Sequence, residues 1–265
     1  MRSDFQSKIL NLTEHNLKAH SLYSHANPVD RVDGLDDRKK QGWRRILSSV
    51  ATTESVEEIM MLPLEKAFKD YPEIVRYLVS HKQDETRHHQ LLNRYLKNTF
   101  DYVKIERTFS DRWIYDRILP RVAKRLESKP LYGLAMLLFF EMYGVGFYKN
   151  FKNQAERDGL SGLAEVVKLI EKVELRHMSG LDLLCSYYMS SSGRNGRVTW
   201  FESLLLRFCL LILVLDVNMS RWAIHNLEVR EHVKMMGLDP HDLTLGAYQA
   251  ARDVYRKVAR KEVLC

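Results

Sequence analysis

Two short stretches of this chain carry residue types that bind metal ions: Glu85-Thr86-Arg87-His88 and Glu174-Leu175-Arg176-His177. In each, a Glu precedes a His by three positions. On an α-helix such residues share a face, so each stretch offers one carboxylate oxygen and one imidazole nitrogen side by side. Either pair alone is a weak signal, because Glu-x-x-His arises readily by chance. Two further carboxylates strengthen it. Glu54 interrupts an apolar stripe that includes Ile46, Val50, Met61 and Leu64, and Glu141 interrupts one made of Leu134, Leu138, Val145 and Tyr148. Glu57 and Glu58 lie close enough to Glu54 on the helix to stand as alternatives for it.

A buried, unpaired carboxylate costs several kcal/mol, so four of them converging in one core need cations. Two divalent ions balance the charge of four carboxylates, and two neutral imidazoles complete the coordination. The spacing agrees: Glu54 precedes Glu85 by 31 positions and Glu141 precedes Glu174 by 33. A helix of about 20 residues, a turn and a return to equal depth need about that many at 1.5 Å per residue. The order Glu, Glu-x-x-His, Glu, Glu-x-x-His is therefore a twofold repeat of an antiparallel helix pair.

The elements that must hold these residues are all helical. Amphipathic or capped helices are expected at about 3–25, from Asp36 or Asp37 to Met61 or Leu62 where Pro63 interrupts, at 73–98, from Ser110-Asp111 to about 126, and from Pro130 to about Arg157. Gly159 ends the last of these and Ser161 caps its successor. Residues 190–197 read as a turn-rich loop. Thr199-x-x-Glu202 opens a long helix that Gly237 and Pro240 close, and a final helix covers about 244–261. No alternating strand pattern is present. The expectation is an all-α protein, a four-helix bundle at about 37–190 with additional N- and C-terminal helices (about 3–25 and 199–262), forming a single helical domain over 1–265.

Composition fits that reading. The 265 residues are 45% hydrophobic and 28% charged, enough for a sizeable core, and 12 Gly and 6 Pro argue against a turn-rich β fold. Cys185, Cys209 and Cys265 are widely separated and odd in number, which suits free thiols in a reducing compartment. Met1 to Asp4 opens a polar helix without an apolar signal-peptide core, so a cytoplasmic location is expected. The apolar stretch Leu204–Leu215 is broken by Arg207 and falls short of the ~20 residues a membrane-spanning helix needs. A net charge of +7, concentrated around residues 38–45, 121–129 and 252–261, reads as solvated helix faces or as a docking surface for an acidic partner such as a carrier protein or nucleic acid.

Asp84-Glu85-Thr86-Arg87-His88 resembles the Asp-Glu-x-Arg-His of bacterial multicomponent monooxygenases and rubrerythrin-like proteins. With the four-Glu, two-His pattern, the chain is similar to the ferritin-like di-iron carboxylate superfamily, in its ribonucleotide reductase-like and di-iron oxygenase branch. The resemblance implies Glu54, Glu85, His88, Glu141, Glu174 and His177 as metal ligands. It also implies a cofactor of two Fe ions or an Mn/Fe pair, O2 as co-substrate, and Asp84 as acceptor for the far ring nitrogen of His177. Val173 stands where the mirrored Asp would be, so His88 must find another acceptor. The implied activity is that of a di-iron oxidase or oxygenase acting on a small organic substrate, fed by an electron-donor protein, in a chain that can be a homodimer. The alternatives are ferritin-like iron storage, and a desaturase or hydroxylase working on a carrier-protein-bound or tRNA-bound substrate. Leu92 occupies the position of the radical-storing Tyr of ribonucleotide reductase, which argues against radical storage of that kind. Gly144 and Gly146 either open a cavity beside Glu141 or permit close helix packing. Arg87 and Arg176 are expected to brace carboxylates on neighbouring helices, and Trp43, Trp113, Trp200 and Trp222 to be core. His81 shares a face with Glu85 and His88. It is expected to be catalytic, as a seventh ligand or a proton donor during O2 reduction; otherwise it is a structural histidine at the end of the bundle.

Overall fold

The computed structural model describes residues 2–25, 28–54, 57–102, 127–191 and 231–259, together with 117, 120–121, 124, 206–207 and 210–211. Seven helices are seen: α1 (Arg2–His25), α2 (Asp37–Glu54), α3 (Glu57–Ala67), α4 (Pro72–Phe100), α5 (Pro130–Arg157), α6 (Ser161–Ser191) and α7 (Pro240–Ala259), with no strand among the described residues. The fold class is all-α, as the periodicity indicated.

The core is divided into two apolar clusters, and every central helix crosses from one to the other. In α4, Ile74, Tyr77 and Leu78 belong to the first cluster and Leu91, Leu92 and Tyr95 to the second. In α5 the passage is from Leu134, Leu137 and Leu138 to Tyr148 and Phe151, in the same direction. The rod formed by α2 and α3 runs the opposite way, from Trp43, Ile46 and Leu47 to Met60, Met61 and Leu64, and so does α6, from Val167 and Ile170 to Leu181 and Leu184. The α2–α3 rod and α4 are thus antiparallel, α4 and α5 are parallel, and α5 and α6 are antiparallel. A parallel step needs a long return between Asp101 and Lys129, where a further helix was expected; most of that segment lies outside the described residues. The layer between the two clusters is where Glu54, Glu85, His88, Glu141, Glu174 and His177 fall. α1 packs along α4 and α6, and α7 covers α5.

Helix ends follow local chemistry with some corrections. Pro72 and Pro130 occupy first-turn positions, where the missing N–H costs nothing. Asp101, at φ 49°, closes α4 in the left-handed conformation that a short polar side chain tolerates, and Gly159, at φ 73°, follows α5. Pro63 does not end its helix: α3 continues through it to Ala67, although Pro63 has no N–H to offer the Ile59 carbonyl. Pro240 opens α7 rather than merely closing what precedes it, while Gly237 has the positive φ of a helix terminator, 87°. α6 runs to Ser191, so the first two residues of the expected loop are helical; positions 192–205, including the Thr199–Glu202 capping box, lie outside the described residues. Ser161 is not the working cap of α6. The Asp30 carboxylate accepts the N–H groups of Gly162 and Leu163, each at 2.9 Å, and also the Tyr95 hydroxyl at 2.9 Å. A residue 131 positions away thus caps the helix and ties the α1–α2 connection to α4 and α6.

α5 is long and apolar enough to cross a membrane, but most of it is buried against its neighbours and it carries Glu141 at mid-length, the composition of a core helix.

Candidate metal centre

All six expected ligands and His81 meet in the layer between the two clusters, and none is more than 8% exposed. They form two overlapping groups. Glu54, Glu85, His88 and Glu174 make one, and His81, Glu85, Glu141 and His177 the other; within each, one ligating atom per residue lies within 4.8 Å of every other. Glu85 belongs to both. Its Oε2 is 3.3 Å from His88 Nδ1 and its Oε1 is 3.0 Å from His177 Nδ1. Glu174 spans the same gap, with Oε1 3.1 Å from His88 Nδ1 and Oε2 3.4 Å from His177 Nδ1. The two Glu-x-x-His carboxylates therefore face both imidazoles, while Glu54 (Oε2 to His88 Nδ1, 3.2 Å) and Glu141 (Oε2 to His177 Nδ1, 3.7 Å) each serve one side.

The far nitrogens of the two imidazoles fix their orientation. His177 Nε2 donates to Asp84 Oδ2 at 3.2 Å, the contact the Asp-Glu-x-Arg-His resemblance implied. Its lone pair is then on Nδ1. His88 finds its partner outside the four-helix unit: its Nε2 lies 3.0 Å from the hydroxyl of Tyr23 on α1. Tyr148, two turns beyond Glu141 on α5, donates its hydroxyl to Glu54 Oε1. Tyr77 donates to the His177 carbonyl at 3.0 Å and packs so closely on Gly180 that a Cβ there would sit 2.1 Å from its oxygen. Only a glycine lets that ring in.

These residues fit cations. His177 Nδ1 and Glu85 Oε1, both buried and 3.0 Å apart, have no hydrogen-bond partner among the described residues. Two acceptors facing each other in an apolar layer repel, unless a proton or a metal ion lies between them. The electrostatics say the same. Burial disfavours a charged His88, yet the facing carboxylates of Glu85 and Glu174 outweigh it and hold its pKa well above the ordinary imidazole value. His177 is raised likewise, by Glu141 and by its bond to Asp84, against burial. Burial and the neighbouring Glu85 push Glu54 well above the usual carboxylate range. Glu174 sits at about 2, because its hydrogen bonds with Glu141, His177 and His88 overcome burial and the repulsion of Glu85. The layer demands positive charge. Buried carboxylates and imidazoles of this number are hard-to-borderline donors suited to ions such as Fe and Mn.

Other expectations fare unevenly. Glu54 is the α2 residue in the centre, and nothing is described of the Glu57 and Glu58 side chains. Arg87 lies 3.8 Å from Asp84 on its own helix, and Arg176 donates to Asn16 Oδ1 on α1; among the described residues neither is seen on a carboxylate of a neighbouring helix. Trp43 is core, packed on Phe151 with its indole N–H on Asp158, while Trp113, Trp200 and Trp222 lie outside the described residues. Gly144 and Gly146 do not serve close packing among the described residues: a Cβ at Gly146 meets nothing within 4 Å, and one at Gly144 meets only Tyr148 at 3.9 Å. Tyr148 was placed on the inward stripe by its spacing, but its partner could not be read there. No sequence signal pointed to Tyr23.

The helix order, the parallel central step and the mid-bundle carboxylate layer are those of the ferritin-like fold. Among solved structures the chain is similar to R2-like ligand-binding oxidase. One variant of that oxidase, with an aerobically reconstituted Mn/Fe cofactor, matches with a TM-score of 0.69 at 14% identity over 96% of this chain and 94% of that one. The same oxidase with an aerobically reconstituted metal cofactor after photoconversion gives 0.66 at 14% identity, with 94% of each chain covered. A third structure, a variant with an anaerobically reconstituted Mn/Fe cofactor, gives 0.66 at 17% over 96% and 94%. No protein-family model and no curated protein matches the chain.

Proposed function

We propose that this protein is an oxidase or oxygenase that activates O2 at a pair of Fe ions, or an Mn/Fe pair, to oxidise a small organic substrate. The observation that carries this reading is the doubly facing pair of carboxylates: Glu85 and Glu174 each turn one oxygen to His88 and the other to His177. When bound, a pair of redox-active ions supplies the electrons that reduce O2.

The chain's own contribution is positional. Glu85 and Glu174 would hold a pair of ions from both sides and Glu54 and Glu141 would each serve one of them, and carboxylates can change their mode of contact as the charge between them changes. Tyr23 and Asp84 keep His88 and His177 in the tautomer that presents Nδ1. Tyr148 holds a proton on its phenolic oxygen, where burial and then Glu54 raise its pKa well above the usual value, and directs it at Glu54 Oε1. The two apolar clusters exclude water from above and below. Gly144, three positions beyond Glu141, adds no side-chain bulk beside the site, which suits a small substrate there. Turnover requires an electron-donor protein, and the basic surface suits an acidic one.

The test is anaerobic reconstitution with Fe(II), or with Mn(II) and Fe(II) together, followed by metal analysis and O2 exposure. The reading expects one ion in each of the two groups and O2 uptake in a single phase proportional to bound pairs. Continued accumulation of iron far beyond two ions per chain would replace it with storage, and no uptake of metal would reject it.

A further inference from the structure

The two groups differ in their donors, and the difference is His81. Its Nε2 lies 2.7 Å from Glu141 Oε1 and 3.2 Å from Glu85 Oε1, and its ring stacks on that of His177 at 3.6 Å between centroids, 24° from parallel. It is fully buried, and its Nδ1 has no hydrogen-bond partner among the described residues. One nitrogen thus faces two carboxylate oxygens that already belong to the His177 side. A single N–H satisfies only one of them, whereas an ion satisfies both.

Resting on the two-ion reading above, we propose that His81 is a third imidazole ligand, and that it makes the two halves of the centre unequal in metal preference. The half built from His81, His177, Glu85 and Glu141 offers two nitrogens beside its two carboxylates and the facing Oε2 of Glu174, 3.4 Å from His177 Nδ1. The half built from His88, Glu54, Glu85 and Glu174 offers one nitrogen and three carboxylates. Imidazole nitrogen favours the later divalent ions, and affinity rises from Mn to Fe to Co, while carboxylate-rich sets suit Mn. The His81 half therefore selects Fe(II) or Co(II) over Mn(II), and the Glu54 half accepts Mn(II). The chain sorts unlike ions by donor set.

His81→Gln is the informative variant. Glutamine keeps an N–H that can reach a carboxylate but has no nitrogen lone pair to give a metal. The metal-free full-length chain is titrated anaerobically with Co(II), read by its d–d absorption, and in parallel with Mn(II) and Fe(II) in competition followed by metal analysis. The wild type should bind Co(II) in two classes of unequal affinity and retain Mn and Fe together. In His81→Gln the tighter class should weaken by at least about tenfold, the loss typical when a metal site loses a supporting group, and the retained Mn:Fe ratio should rise. His81→Leu should show the same loss; far-UV circular dichroism and the melting temperature of both metal-free variants establish that they fold. If His81→Gln matches wild type in both affinities and in Mn:Fe ratio, His81 is a hydrogen-bond donor to Glu141 and the proposal is overturned while the two-ion reading stands. Two equivalent Co(II) sites in the wild type overturn it equally. A wild type that takes up no Co(II), Mn(II) or Fe(II) overturns both.

Discussion

The two halves of the centre are built from equivalent positions of a repeated helix pair, yet they are held by different parts of the chain. On the His177 side the support is internal: Asp84 on α4 accepts from the imidazole, and Tyr77 on α4 bonds the backbone of α6. On the His88 side the mirrored carboxylate is absent, because Val173 is apolar and buried in the second cluster, and a tyrosine from the flanking helix α1 fills in. A carboxylate partner adds negative charge and raises the basicity of its imidazole; a phenol adds none. The comparison teaches that an internal repeat can be kept at the ligands and broken one shell of contacts further out. It also gives α1 a use: α1 completes the centre.

The largest expected effect separates what the halves share from what they own. Glu85→Ala removes the carboxylate that belongs to both groups and, with Glu174, faces both imidazoles, so metal analysis should find neither ion retained. Glu54→Ala and Glu141→Ala each remove a contact to one imidazole only and should retain the opposite ion. If Glu85→Ala loses a single ion, as the terminal variants do, its bridging position is wrong and the halves are independent.

Much of this was legible because burial of charge is expensive. Four carboxylates on apolar stripes admit few explanations, so the all-α class and the layer the four share were legible in the spacing, while the full ligand set came only with the family resemblance. Contacts that span the chain were not legible. Tyr23 and His88 are 65 positions apart, and nothing in a tyrosine near the end of an amphipathic helix says that its hydroxyl points at an imidazole. The cap of α6 shows the same limit: Ser161 sat where local rules put a cap, and a distant Asp30 took the N–H groups instead. Pro63 failed as a stop signal because packing of Met60, Met61 and Leu64 in the first cluster outweighs one missing backbone bond.

The next effect sharpens the contrast between the two supports. Asp84→Asn keeps the shape but removes the charge behind His177, and metal affinity on that side should fall about 10–100-fold. Tyr23→Phe removes only a neutral hydroxyl behind His88 and should cost less, with the loss confined to the carboxylate-rich half. Anaerobic Co(II) titration of the two variants side by side reads both. Equal losses would mean that the charge of Asp84 is immaterial.

A smaller effect concerns protons in place of metal. His88 and His177 have folded pKa values raised well above the ordinary 6.5, so in the metal-free chain their contribution to stability is complete below pH 6.5 and is lost as pH rises through those raised values. Glu54, also raised, acts in the same direction from a lower starting point. Glu174, at about 2, contributes above the ordinary carboxylate value of 4.5 and loses its contribution only as pH falls toward 2. His81, which burial lowers, works the other way as pH falls below 6.5, so the expectation is that the metal-free chain should soften as pH rises above neutrality. The metal-loaded chain, with ions where the protons were, should not. Melting temperatures of both forms across pH 5 to 9 decide it; parallel curves would show that the ions do not replace those protons.

The smallest effect lies at the edge of the His88 half, where the segment between α1 and α2 is pinned. Asp30 caps α6 through two backbone N–H groups and accepts the Tyr95 hydroxyl, while its own N–H reaches Thr99 Oγ1 at 3.2 Å. Asp30→Ala loses the cap and leaves a mostly buried phenol without that acceptor, so unfolding of the metal-free chain in urea should become easier by about 1–2 kcal/mol. Ser161→Ala, at the position where local rules placed the cap, should change stability by no more than a few tenths of a kcal/mol, because its hydroxyl is a distant 3.5 Å from Asp30 and makes no first-turn contact of its own. Since Asp30 lies in the connection that follows Tyr23, loosening it should also weaken metal binding on the His88 side and leave the His177 side unchanged. An Asp30→Ala chain that lost affinity equally on both sides would show that the cap stabilises the bundle as a whole, and that α1 is not held to its half of the centre through this segment.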